Sequence, residues 1–418
     1  LHLYMLKIME YFFRRKRALK TLLSLSLVCA TILMIQKFKL VEEAAKGTLM
    51  VKTRADAGWS RVNKNVFKSD SYNHSPLGQP ENSEAGHLVP FSNVTRKVWD
   101  VTAINCSENP DVKNKDWFKR LDPRFHQFVL YRHCRYFPML INHPETCRSG
   151  DVHLLMVVKS VIEQHDRREA VRRTWGREQV TGGKRIKTLF LLGSPSTGKD
   201  TKNLQKLIQY EDRIYGDILQ WDFMDTFFNL TLKEVNFLKW FNMYCPGVQF
   251  IFKGDDDVFV NTNNLLQLID FKTEEGKVRN LFVGDTISKA IPIRNRQSKY
   301  FIPRDLYDKP YPPYVGGGGF LMSPELARRL FIVSEKLELY PIDDVFLGMC
   351  LQKIGVAPEL HPGFKTFGIM KRKISPMNND PCFYKNLLVI HKMSPTDLLR
   401  MWDTVQNKDL ICAKKIVL

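Results

Sequence analysis

The run "FKGDDDVFVN" (252–261) sets Asp255, Asp256 and Asp257 side by side at the end of the apolar stretch "VQFIF". Three adjacent carboxylates repel one another, and neither a helix nor a strand is stabilised by them. Clustered oxygens with no Cys or His alongside suit a hard cation such as Mn²⁺ or Mg²⁺. A cation relieves the repulsion, and a diphosphate can complete its coordination. A solvated turn or helix cap is the plainer reading, but the apolar run that delivers the cluster argues for a buried strand. An EF-hand loop is a poor match, because Val260 stands at the sixth position, where that loop needs glycine. A Walker-type ATPase is disfavoured by the lack of a G-x-x-x-x-G-K-[ST] run.

A second acidic pair lies in "ELYPIDDVFLG" (338–348). Pro341 and the apolar residues after Asp344 place Asp343 and Asp344 at a helix start, where one would serve as N-cap. A helix N-terminus favours the ionised carboxylate, which suits a general base. Between the two acidic sites, "YPPYVGGGGFLMSPELARRL" (311–330) carries four consecutive glycines, followed by Ser323 as N-cap and Pro324 in the first helical turn. That punctuation predicts a defined glycine loop, including Gly317 and Gly318, flooring a cleft on the acceptor side.

The elements that must position these residues alternate. The apolar runs 152–158, 186–193, 217–223 and 248–257 are separated by helical patterns over 166–176, 202–215 and 230–244. Strand–helix repetition predicts an α/β fold with a mostly parallel sheet flanked by helices. Ligands of such sheets bind beyond the carboxyl ends of the strands, where Asp255–Asp257 fall.

The N-terminal region reads differently. Basic residues 14–20 precede the uncharged stretch Thr21–Gln36, which as a helix spans about 24 Å. No A-x-A cleavage site follows closely, so a single-pass signal anchor is expected, with a cytosolic tail (1–20), the transmembrane segment (21–36), a luminal stem (37–98) and a luminal domain (99–418). N-x-S/T sequons at Asn93, Asn105 and Asn229 fit a secretory lumen; a fourth, at Asn73, is a poor acceptor because Pro76 follows it. Of the eight cysteines, Cys29 lies in the anchor, and the other seven allow up to three disulfides and one free thiol with the pairing open. The net charge is +19, of which +12 lies beyond residue 60. This charge fits anionic ligands, and luminal topology argues against nucleic acid.

"RREAVRRTWG", "DTFFNLTLKE", "FKGDDDVFVN", "YPPYVGGGGFLMS", "ELYPIDDVFLGMCLQKIGV" and "LLVIHK" together resemble the type II Golgi-membrane β-1,3-glycosyltransferases over residues 100–418. "YRHCRYFPMLINHPE" and "DILQWDFMDTFFNLTLKE" bring the chain nearest to the β-1,3-N-acetylglucosaminyltransferases. The resemblance implies a GT-A, Rossmann-like mixed sheet flanked by helices. It also implies a UDP-GlcNAc donor, a β-galactose acceptor, possible keratan-sulfate or poly-N-acetyllactosamine products, and inversion. By residue, it makes Asp257 and His391 the Mn²⁺ (or Mg²⁺) ligands and places Asp255 and Asp256 in the D-x-D donor site. Asp344 becomes the base, and Arg168, Arg172 and Trp175 border the nucleotide. Two alternatives stand beside it: a β-1,3-galactosyltransferase using UDP-galactose, and a non-catalytic, cation-dependent glycan-binding module.

Overall fold

The computed structural model describes residues 98–412 apart from 105, 149, 196–199 and 368–379. The expected anchor and stem, Asn93 and Asn105 therefore lie outside the described residues. No described helix is long and apolar enough to cross a membrane.

The strands are β1 (Met139–Ile141), β2 (Val152–Lys159), β3 (Gln179–Thr181), β4 (Lys184–Ser194), β5 (Ile218–Met224), β6 (Phe250–Asp255), β7 (Val258–Val260), β8 (Phe282–Ile287), β9 (Tyr314–Met322), β10 (Glu359–Leu360), β11 (Phe364–Lys365) and β12 (Val389–His391). The longer helices are α1 (His165–Arg173), α2 (Thr201–Tyr215), α3 (Leu230–Tyr244), α4 (Thr262–Glu274), α5 (Pro324–Ser334), α6 (Asp343–Lys353) and α7 (Pro395–Gln406). The main sheet runs β1-β5-β4-β2-β6-β9-β8-β10, with β3 on β4; a small sheet runs β11-β12-β7.

β2, β4, β5 and β6 are parallel, as the alternation of strands and helices predicts, whereas β9 lies antiparallel between β6 and β8. The sheet is mixed. Its central strands are built on continuous apolar runs because both faces are covered, with charged residues such as Lys159 and Asp255 at their carboxyl ends. Along β2, Leu155 and Val157 enter the core shared with α3, while Leu154, Met156 and Val158 enter the opposite core with Val171 and Trp175. Helix α3 is buried nearly all round, including Lys233 and Glu234.

One expectation fails here. The four glycines do not form a loop: Gly316–Gly319 run inside β9, and Gly319 pairs with Gly254 of β6. The following turn is as expected, with Ser323 Oγ accepting from Leu326 N at 3.3 Å and Pro324 opening α5.

Among the described residues the cysteines pair as Cys106–Cys134, Cys147–Cys245 and Cys382–Cys412, leaving Cys350 free and buried. Cys147–Cys245 closes the longest loop, a separation of 98 residues, and ties the segment before β2 to the end of α3. Cys147→Ser should lower unfolding free energy by about 2–5 kcal/mol, because the unfolded chain regains loop entropy. Urea unfolding of both proteins under non-reducing conditions measures it, and a loss under 1 kcal/mol would contradict it.

Candidate active site

The parallel register sets Lys159, the last residue of β2, opposite Asp255, the last of β6. Immediately beyond, the chain turns through Asp256 and Asp257 into β7, which pairs antiparallel with β12 so that Val258 faces His391. Lys392 adopts φ 70°, and the amide of Met393 returns to donate to Asp257 O at 2.8 Å. Two short strands thus bring a histidine from near the C-terminus onto the carboxylates.

Asp255, Asp257 and His391 form a cluster whose candidate ligand atoms all lie within 4.8 Å of one another. His391 Nε2 is 3.0 Å from Asp257 Oδ1 and 3.4 Å from Asp255 Oδ2. Its Nδ1 lies 2.6 Å from Thr366 O, which fixes the ring and leaves Nε2 for the cluster. Burial works against ionisation of Asp257, but the hydrogen bond and charge of His391, together with the charge of Arg167, outweigh it and hold the carboxyl below its usual range. Two carboxylates and an oriented imidazole fit Mn²⁺, with Mg²⁺ less suited to the nitrogen. A Cβ at Gly318 would stand 2.7 Å from His391 Nδ1, so the glycine at this strand position gives the imidazole its room.

Asp256 differs from its neighbours. It is buried, accepts from Ser160 Oγ at 2.7 Å and Arg167 Nη1 at 3.0 Å, and burial raises its carboxyl. It anchors the turn instead of facing a donor.

Lys159 joins the two acidic sites. Its ammonium, almost wholly buried, lies 3.1 Å from Asp255 Oδ1 and 2.7 Å from Asp343 Oδ2. Burial would lower the Lys159 value, yet the flanking carboxylates push it well above the ordinary one. A Cβ at Gly317 would stand 3.2 Å from Lys159 Nζ.

Neither Asp343 nor Asp344 is an N-cap: Ile342 holds that position, and both aspartates fall in the first turn of α6. Burial opposes ionisation of Asp343, but Lys159 prevails and keeps it low. Asp344 retains some exposure and accepts from Val345 N at 2.8 Å, with a further backbone hydrogen bond at Gly317. Burial, and then the charge of Asp343, push its carboxyl up to about 7, although Lys159 and these amides oppose the rise. The helix terminus therefore does not keep Asp344 firmly ionised; enclosure outweighs the dipole, and the group titrates near neutrality.

Three residues expected at the nucleotide point elsewhere. Arg168 is fully buried, its guanidinium donating to Glu211 at 2.7 and 2.8 Å and to Ser160 Oγ at 3.2 Å. Arg172 forks onto Asp217 at 2.8 and 2.9 Å and lies over Phe190 and Tyr215. Trp175 is buried, and its indole donates to Val258 O at 2.7 Å, bracing β7. Asn229 sits just before α3, its Nδ2 donating to Met224 O at 2.8 Å. A cavity of about 250 Å³ lined by Phe128, Phe137, Phe223, Phe228 and Leu232 contains none of the acidic groups. The sequence reading missed Lys159, Ser160 and Arg167; a lysine ending the apolar run "VHLLMVVK" was the available signal.

A family model described as Galactosyltransferase matches residues 166–362, which include the carboxylates of both acidic sites. A UDP-GlcNAc:betaGal beta-1,3-N-acetylglucosaminyltransferase 7 of Rattus norvegicus is 57% identical over 334 residues, covering 78% of this chain and 83% of that protein. That of Mus musculus is 57% identical over 323 residues, covering 76% and 80%. The N-acetyllactosaminide beta-1,3-N-acetylglucosaminyltransferase 2 of Homo sapiens is 35% identical over 410 residues, covering 96% and 99%. The chain belongs to the β-1,3-N-acetylglucosaminyltransferase family.

Lys159→Met should leave Asp343 buried without its cation and cost about 3–5 kcal/mol. Asp343 is then no longer held ionised, so the loss should be smaller at pH 5, where it can take a proton, than at pH 8. Urea titrations at both values test this; an equal, sub-1 kcal/mol effect at each would sink it.

Proposed function

We propose that this chain transfers N-acetylglucosamine from UDP-GlcNAc to the 3-hydroxyl of a terminal β-galactose, with inversion, from a GT-A-type donor domain. The observation that carries the reading is Asp344, a carboxyl titrating near 7 and linked through Asp343 and Lys159 to the Asp255–Asp257–His391 cluster. A binding module has no use for such a group, whereas a general base works best when its pKa lies near the operating pH.

Asp255, Asp257 and His391 would hold Mn²⁺, which when bound neutralises charge on a departing diphosphate. The chain's own residues do the rest. Asp344 accepts the proton of the attacking hydroxyl. Asp343, held by Lys159, keeps the first turn of α6 in place. One base and a separate cation site suit transfer; a glycoside hydrolase would need a carboxyl pair flanking the sugar bond. The names of the relatives favour GlcNAc over galactose as the donor sugar. The Golgi-membrane, type II placement and the keratan-sulfate or poly-N-acetyllactosamine products are part of the same proposal. It rests on the basic flank before Thr21–Gln36 and on the family. The charge excess beyond residue 60 supports an anionic, sulfated acceptor.

Product analysis with a galactose-terminated acceptor and either UDP-GlcNAc or UDP-galactose tests the reading directly. β1,3-linked GlcNAc is expected; galactose transfer alone would replace the donor assignment, and no transfer from either would favour the module. Asp344→Asn should reduce kcat about 10²–10⁴-fold while UDP binding stays within a few-fold. The carboxylate is the active form, so wild-type kcat should rise with pH through about 7. A flat profile from pH 5 to 9 with unchanged chemistry would remove Asp344 as the base. Asp257→Ala, or EDTA, should abolish transfer, with Mn²⁺ rescuing only the EDTA-treated wild type; full turnover in EDTA would eliminate the cation.

A further inference from the structure

Helix α1 carries four arginines: Arg173 is exposed to solvent, and Arg167 lies at the acidic cluster without a role in the core or in the reaction described above. Arg168 and Arg172 are committed to Glu211 and Asp217, but Arg167 turns the other way. Its Nη1 reaches Asp256 Oδ1 at 3.0 Å and Asp257 Oδ2 at 3.5 Å. Its Nε and Nη2 hydrogen-bond to no described residue, and the side chain is 33% exposed, against 5% for Lys159 and 0% for Arg168. Arg167 is thus the cation at the cluster with both an anchored end and free donors.

The charge balance gives those donors a role. With a divalent cation bound, the carboxylates of Asp255, Asp256, Asp257 and Asp343 would be matched by that cation, Lys159 and Arg167, so net attraction for a further anion would be small. Recognition then depends on directed N–H groups, and a guanidinium presents them in a planar fork suited to phosphate oxygens.

We propose that Arg167 is a diphosphate-contacting residue, its Nη1 held by Asp256 and its Nε–Nη2 edge offered to a nucleoside diphosphate seated on the Asp255–Asp257–His391 cluster. The assignment rests on the glycosyltransferase reading above. Arg167 thereby does what the sequence motif had led us to expect of Arg168 and Arg172.

Calorimetry on the 418-residue chain, Arg167→Gln and Arg167→Lys separates the possibilities with three probes: UDP in Mn²⁺, uridine, and Mn²⁺ alone. Arg167→Gln should weaken UDP about ten- to hundred-fold while uridine and Mn²⁺ change less than two-fold. Arg167→Lys keeps the charge beside Asp256 without the free edge, and it should weaken UDP at least five-fold; it carries the test if the glutamine variant does not fold. UDP affinity unchanged in either folded variant overturns the proposal. So does an equal fall in uridine or Mn²⁺ affinity, which would make Arg167 a brace for the turn. A wild-type chain that binds Mn²⁺ but not UDP would instead overturn the glycosyltransferase reading.

Discussion

Carboxylates gathered in a protein interior must be compensated within a few ångströms, because water is no longer there to do it. This chain brings Asp255, Asp256, Asp257, Asp343 and Asp344 to one region, and much of its architecture follows from that concentration. Lys159 takes two of them, Arg167 two, and His391 two, with Asp255 and Asp257 each shared. Asp344 has no ion pair of its own among the described residues, and burial, followed by the charge of Asp343, raises its carboxyl to about 7.

Compensation extends into the scaffold. Ser160 donates to Asp256 and receives from Arg168, and Arg168 is in turn locked to Glu211. On the other side of the sheet, Lys253 pairs with Glu234 and Lys233 with Asp225, so α3 meets the central strands through charge as well as apolar packing. The glycines of β9 belong to the same scheme. They remove side chains where Lys159 and His391 must pass close to the backbone.

The parallel half of the sheet was legible in the sequence because β2, β4, β5 and β6 are continuous apolar runs with helical patterns between them. Helix α3 was read to its last residue, and Ser323–Pro324 fixed the start of α5. β9 was misread because glycine weakens strand propensity and usually marks turns; its neighbours supply the reason for those glycines, and they lie far off in sequence. The same distance hid Lys159 and Arg167. An arginine-rich helix does not reveal which of its cations face a core carboxylate and which face a cleft. Asp344 illustrates a further limit. The helix dipole is a local property that the sequence shows, whereas enclosure by β9 and Asp343 is a property of the fold, and enclosure prevails.

The pairing of β7 with β12 has a consequence for the order in which the protein is made. During synthesis the D-D-D turn emerges long before the strand that carries His391, and chains fold in part as they emerge. Until then the turn has its carboxylates and two compensating cations but lacks the imidazole. A cation of the kind proposed would find its full set of protein ligands only in the finished domain, so its binding energy would accrue to the completed chain and not to a nascent intermediate. Truncation before residue 391 would thus leave a chain that still contains every strand of the main sheet and yet has no complete centre.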